Sequence, residues 1–266
     1  MSRDRPGSPV QSDRRATRVT ADPLGKAMLA HQRDEPGRLV YRDGADVQDG
    51  NVAAFYFSTP ESWGPETVEC LERLADREPI LDVGCGAGKH LLWWADRDVE
   101  AVGVDASPNA IRAARERGLE EGRLFVGDMF DLPIETGAVG AVHAVGTQIG
   151  LGRSLAGIRT VLAEFARVTA DDGRAVVDNY DPTRLDDGFF GYRSDPRTGI
   201  AHRCFHLEFE RETPDGDRRR ELGRTLQFLL CSPARLREAT IGTPWCVTAT
   251  RRANGDAYYR AVLERR

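Results

Sequence analysis

Long apolar runs are missing from this 266-residue chain: none approaches the ~18 residues of a membrane span, so no membrane-crossing helix is expected within it. The Arg-rich start lacks the apolar core of a secretory signal. Cysteine is sparse. Cys70, Cys85, Cys204, Cys231 and Cys246 are scattered, odd in number and without a C-x-x-C pair, which argues against a zinc site and for a reducing compartment. The expected location is the cytoplasm, with no membrane partner and no metal. Lysine occurs only as Lys26 and Lys89, every other basic residue being arginine, a genomic bias to which no function is attached. The net charge of −5 gives no electrostatic reason to expect a nucleic-acid partner.

What the chain does have is a glycine-rich turn at the end of an apolar run: Ile80-Leu81-Asp82-Val83-Gly84-Cys85-Gly86-Ala87-Gly88. Alternate glycines supply backbone conformations closed to other residues and let the main chain lie against a ligand. Lys89 stands where a dinucleotide-binding G-x-G-x-x-G loop would need its third small residue, which excludes that type. A second short apolar strand, Ala101 to Val104, ends in Asp105, 23 positions after Asp82 and close to the spacing at which a carboxylate reaches ribose hydroxyls. Ser107, ahead of Pro108, is the better cap for the following helix, which frees Asp105 for the ligand. A third strand ends in Gly127-Asp128-Met129. Three acids at the carboxyl ends of successive strands point to one site, because open α/β sheets bind ligands at that edge.

This set resembles the D-x-G-x-G-x-G loop and following acids of class I S-adenosylmethionine-dependent methyltransferases, over roughly residues 55 to 265. The resemblance implies that Asp82, Gly84, Cys85, Gly86 and Gly88 carry the amino-acid end of S-adenosylmethionine. It also implies that Asp105 and Ala106 meet the ribose, Asp128 and Met129 the adenine, and Val145 and Gly146 the reactive centre. The implied activity is transfer of the sulfonium methyl to a small-molecule nitrogen or oxygen. Such transfer rests largely on holding acceptor and methyl together, so no catalytic residue is assigned.

The segment Gly146-Thr147-Gln148, with Asn179-Tyr180-Asp181 downstream, is similar to glycine- and sarcosine-type N-methyltransferases, making Thr147, Gln148, Asn179 and Tyr180 acceptor candidates. Tyr56, Trp63 and Tyr192 join them, from segments expected to fold over the site. The match is incomplete: Asp178 stands where that pattern has an Arg for a substrate carboxylate, so glycine itself is disfavoured. His143, inside an apolar strand, reads as a hydrogen-bonded core residue before it reads as a base. A macromolecular acceptor held by an Arg-rich tail, or a binding protein without turnover, are the alternatives.

The expected organisation is a disordered tail over 1–22, a cap segment over 23–78 and a catalytic domain over 79–266 with a hairpin or lid insertion about 182–230. Apart from a short helix around Leu24 to His31, order is expected to begin at Val52. From Pro79 strands and helices alternate, predicting a Rossmann-like, doubly wound, mostly parallel seven-stranded sheet that ends in an antiparallel pair. Gly173 is expected to end the last helix in a left-handed turn before a strand over 174–179, and one long strand is expected over 219–230.

Overall fold

The computed structural model describes residues 21–212, 215–252 and 257–266. Residues 1–20 of the tail expected over 1–22, and the Asn254-Gly255 turn expected between the last strands, lie outside the described residues, while Asp22, expected in the tail, is ordered as the cap of the first helix. A helix α1 (Pro23–Gln32) leads into a hairpin, β1 (Arg38–Asp43) and β2 (Asp46–Asp49), then the short α2 (Val52–Tyr56) and α3 (Pro65–Ala75). Next come β3 (Ile80–Val83), α4 (Lys89–Ala95), β4 (Ala101–Asp105), α5 (Pro108–Glu116), β5 (Leu124–Val126), β6 (Val139–Ala144), α6 (Leu155–Val168) and β7 (Thr169–Tyr180). The remainder is β8 (Tyr192–Ser194), β9 (Ile200–Glu212), β10 (Arg218–Leu222), β11 (Leu226–Cys231), α7 (Pro233–Ala239), β12 (Trp245–Arg252) and β13 (Tyr258–Arg265).

The main sheet has seven strands in the order β12-β13-β7-β6-β3-β4-β5, parallel from β5 to β7 and antiparallel at β13 and β12. This is the expected α/β architecture. Its interior strands are buried on both faces, so they read as continuous apolar runs; all four residues of β3 are buried. The chain passes from β3 to β4 on one side and later fills β6 on the other. The crevice at that reversal, beyond the carboxyl ends of β3 and β6, is where such sheets bind ligands. Helix α3 forms as its spacing predicts, with Leu71 and Leu74 fully buried, each worth about 1.5–3 kcal/mol of transfer free energy.

A second sheet departs from expectation. β9 pairs with β10, β11, β8 and β1, and β1 with β2, so residues 38–49 are strands rather than a polar lead-in, and order begins well before Val52. Leu39 and Val40 are the buried residues of β1, and Leu39 packs with Phe205, Leu207 and Phe209 of β9; an apolar pair this short leaves almost no periodic signal. The strand expected over 219–230 is two, β10 and β11, interrupted at Gly223. β7 begins at Thr169 rather than 174, directly after α6, and its pairing with β6 jumps from Thr169 to Arg174 across a bulge. Gly173 is therefore not a left-handed helix stop; it is glycine because Ala170 and Gly140 carbonyl oxygens lie 2.8 and 3.1 Å from where a Cβ would sit.

Candidate functional site

The turn after β3 is built as the sequence demands. Gly84, Gly86 and Gly88 all have positive φ, at 72°, 56° and 75°, where any other residue is strained. Gly84 and Cys85 donate backbone N–H groups to the Val104 carbonyl at 2.7 and 3.2 Å, which fastens the turn to β4. A Cβ on Gly86 would lie 3.4 Å from the Tyr56 ring and 3.5 Å from Met28. The turn is thus roofed by α1 and α2, and the Gln148 side chain covers Gly84, 2.6 Å from its missing Cβ.

Asp105, ending β4, reaches over this turn. Its Oδ2 accepts from the Gly86 N–H at 2.9 Å and its Oδ1 from the Ser107 N–H at 2.8 Å. Burial pushes the carboxyl up to about 6, against the pull of these two bonds, and Asp22 adds repulsion. No cation pairs with it among the described residues. An ionised carboxylate offers about four lone pairs; two remain for a ligand. Ser107 caps α5 through Ala110 N–H at 2.9 Å, and its hydroxyl donates to Asp22, which also caps α1 at Gly25. The start of α1 is thereby tied beside Asp105. Ala106 is exposed next to it.

Asp128 is exposed after β5; its Oδ1 accepts from Phe130 N–H at 3.1 Å, leaving Oδ2 without a partner among the described residues, while Met129 is buried. Val145 is half-buried and Gly146 is exposed, with φ of 93°.

Asp82 sits differently from the other two acids. Register sets it beside His143 on β6, and its Oδ1 lies 2.8 Å from His143 Nδ1, both residues nearly solvent-free. The side chain is turned into the core beneath the turn, where a lone carboxylate would carry a large desolvation cost. His90 of α4 stacks edge-on against His143 at 4.9 Å, with burial holding it well below the usual imidazole range, and Trp63 and Trp94 complete the aromatic floor. The ligating atoms of Asp82, His90 and His143 lie within 4.8 Å of one another. Trp63, expected against the acceptor, is a packing residue here, its indole N–H held by Ser58 at 3.1 Å.

Beyond β6, Gly146 and Thr147 turn through positive φ, and both N–H groups donate to Asp178 at 2.7 and 2.6 Å. Tyr258 adds a third donor at 2.7 Å. Asp178 is fully buried, so its task is to hold the turn rather than to face a substrate; burial raises its carboxyl against these bonds. Thr147 is buried in that turn and Gln148 half-buried beside it. Asn179 is also fully buried, donating to the Leu229 carbonyl at 3.1 Å and so tying β7 to β11. That geometry corrects its reading as an acceptor contact. Tyr180 and Tyr192 stay half-buried, with the Tyr180 ring 4.8 Å from Phe189 and 5.5 Å from Tyr258.

Residues the sequence did not single out complete the roof. Met28 comes from α1, which is tied to α5 through Asp22 and Arg33, and Tyr41 and Arg203 come from β1 and β9 of the second sheet. Among the described residues an apolar-walled groove of about 170 Å³ also runs between α3 and β12/β13, past Cys70 and Val262, away from the glycine turn.

Residues 80–173 match a family model described as a methyltransferase domain. A mouse tRNA (carboxymethyluridine(34)-5-O)-methyltransferase is 28% identical over 126 residues, 47% of this chain and 18% of that protein. Trans-aconitate 2-methyltransferase of Rhodococcus jostii is 38% identical over 82 residues, 29% of this chain and 32% of that one. The chain therefore spans a third or less of the length of these relatives. In overall fold it is similar to a Bacteroides fragilis SAM-dependent methyltransferase solved with S-adenosyl-L-homocysteine, at a TM-score of 0.68 and 17% identity, covering 91% of this chain and 94% of the other.

Proposed function

We propose that this chain, whose residues 80–173 form a methyltransferase domain within the class I S-adenosylmethionine-dependent fold, transfers the cofactor's methyl group to a small-molecule nitrogen or oxygen nucleophile. The observation that carries the cofactor assignment is Asp105: a half-buried carboxylate over a three-glycine turn, held only by backbone N–H groups, with lone pairs to spare. A ribose diol supplies the two donors such a group lacks. Asp128 Oδ2 is free to take the adenine amino group, and Met129 supplies an apolar wall. Gly84, Gly86 and Gly88 hold the turn at positive φ, a path other residues follow only under strain.

When bound, S-adenosylmethionine supplies an electrophilic methyl group on sulfur, lost in line with attack. The chain's own contribution is to orient the acceptor and exclude water. Asp178 fixes the Gly146-Thr147 turn, and Tyr56, Met28 and Gln148 cover the glycines. This roof, built from the chain's own α1, α2 and second sheet, supports a small acceptor over a macromolecular one.

Calorimetry with S-adenosylmethionine and its demethylated product, followed by a screen of metabolite fractions for S-adenosylhomocysteine release, tests the reading. Absence of cofactor uptake refutes it; uptake without turnover on any fraction leaves a binding protein. The mouse relative's tRNA acceptor favours a second reading, RNA methylation, which methyl transfer to a small-RNA fraction would establish instead.

A further inference from the structure

Arg203 on β9 lies among aromatic rings rather than carboxylates. Arg42, Arg193 and Arg220 each pair with a carboxylate, and Arg203 with none among the described residues. Its guanidinium lies 4.8 Å from the Phe189 ring centroid and 4.7 Å from that of Phe205, while Nε donates to the Phe190 carbonyl at 3.0 Å. Both terminal nitrogens are left without an acceptor among the described residues. Tyr41, Tyr56 and Tyr180 are within electrostatic reach of it. Burial depresses its pKa. Aromatic faces return part of the cost of burial, about 0.5–2 kcal/mol each, but do not satisfy four N–H donors.

The position matters as much as the vacancy in its bonding. The Phe189 ring under Arg203 lies 4.8 Å from the Tyr180 ring, and the Tyr56 ring lies 3.4 Å from the Gly86 Cβ position. Tyr180 ends β7 at the carboxyl edge of the main sheet. Through Phe189, Arg203 of the second sheet stands next to the residue that ends β7. A planar fork of free N–H donors in a box that is otherwise aromatic and phenolic is complementary to an oxyanion.

We propose that Arg203 binds an oxyanion, a carboxylate or a phosphate, on the methyl acceptor, and that it supplies from the second sheet the counter-charge that Asp178 cannot. The assignment rests on the methyl-transfer reading above and narrows it to anionic small molecules.

The test titrates succinate, its neutral diamide and inorganic phosphate into the protein saturated with S-adenosylhomocysteine. Succinate or phosphate binds saturably and the diamide does not; which of the two binds separates carboxylate from phosphate. Arg203→Met weakens that binding by about tenfold or more, Arg203→Lys by less, and both keep S-adenosylhomocysteine affinity and the melting temperature. Arg193→Ala, removing an exposed cation from the same sheet, leaves anion binding as it was. Equal anion binding by wild type and Arg203→Met, or failure of both anions to bind the wild type, overturns the proposal. Should Arg203→Met misfold, the Lys variant decides. Failure of S-adenosylhomocysteine itself to bind refutes the methyl-transfer reading instead.

Discussion

Asp105→Asn tests the cofactor site through both magnitude and pH. The native carboxylate is pushed up to about 6, so cofactor binding that requires its ionised form weakens as pH falls through that value. By mass action the affinity at pH 5 is about tenfold below that at pH 8. Asparagine keeps the shape and one acceptor oxygen but loses the charge, and its amide N–H₂ then opposes either Gly86 N–H or Ser107 N–H. Two charge-assisted bonds to ribose reduced to neutral ones cost about 2 kcal/mol, or roughly 30-fold at pH 8. Calorimetry of wild type and variant from pH 5 to 8 separates this from titration of the cofactor, which is common to both proteins. The variant is weaker at pH 8 and loses the wild-type slope. Equal affinity at pH 8, or a slope that survives in Asp105→Asn, removes Asp105 from the site. The sign for the free protein is opposite: its folded pKa lies above the ordinary 3.8, so stability from this group declines as pH rises from about 4 through about 6.

Gly86→Val puts a branched side chain at φ of 56° against Tyr56 and Met28, so it abolishes cofactor binding in calorimetry while circular dichroism still reports the native fold; retained binding would give the turn another purpose. Asp82→Ala leaves buried His143 without its partner and lowers stability by about 3 kcal/mol in urea unfolding, whereas exposed Asp128→Ala changes it by under about 0.5 kcal/mol. Equal effects of those two would contradict the core placement of Asp82. Asp178→Ala orphans the Gly146 and Thr147 N–H groups, costing about 1–3 kcal/mol each, and Tyr258→Phe costs about 1–2 kcal/mol. Hydrogen exchange at 146 and 147 faster in Asp178→Ala than in Tyr258→Phe is the expected order.

The sheet was legible because its information is local. Apolar runs of four to six residues, each ended by glycine or an acid, mark β3, β4 and β6 without reference to distant neighbours. Helix α3 is set by the spacing of Val68, Leu71 and Leu74, and α5 by Ser107 and Pro108 at its start. The glycine turn is equally local, since backbone conformation at 84, 86 and 88 depends on the absence of a Cβ there. β1 and β2 were missed because residues 38–49 carry one buried pair, Leu39-Val40, and β1 owes its place to β9, about 170 residues away.

Side-chain assignments divide along the same line. That Asp82, Asp105 and Asp128 end strands follows from sequence; that one turns inward to His143 while another hangs over the glycines does not, because facing depends on which strand lies alongside. Asn179 and Asp178 likewise became structural only when β11 and the 146–147 turn came to lie against them. Local composition determined the parallel sheet and its glycine-cradled edge. The roof over that edge, with Met28 and Tyr56 against Gly86, was decided by tertiary contacts, since residues distant along the chain meet only after the elements have packed on one another.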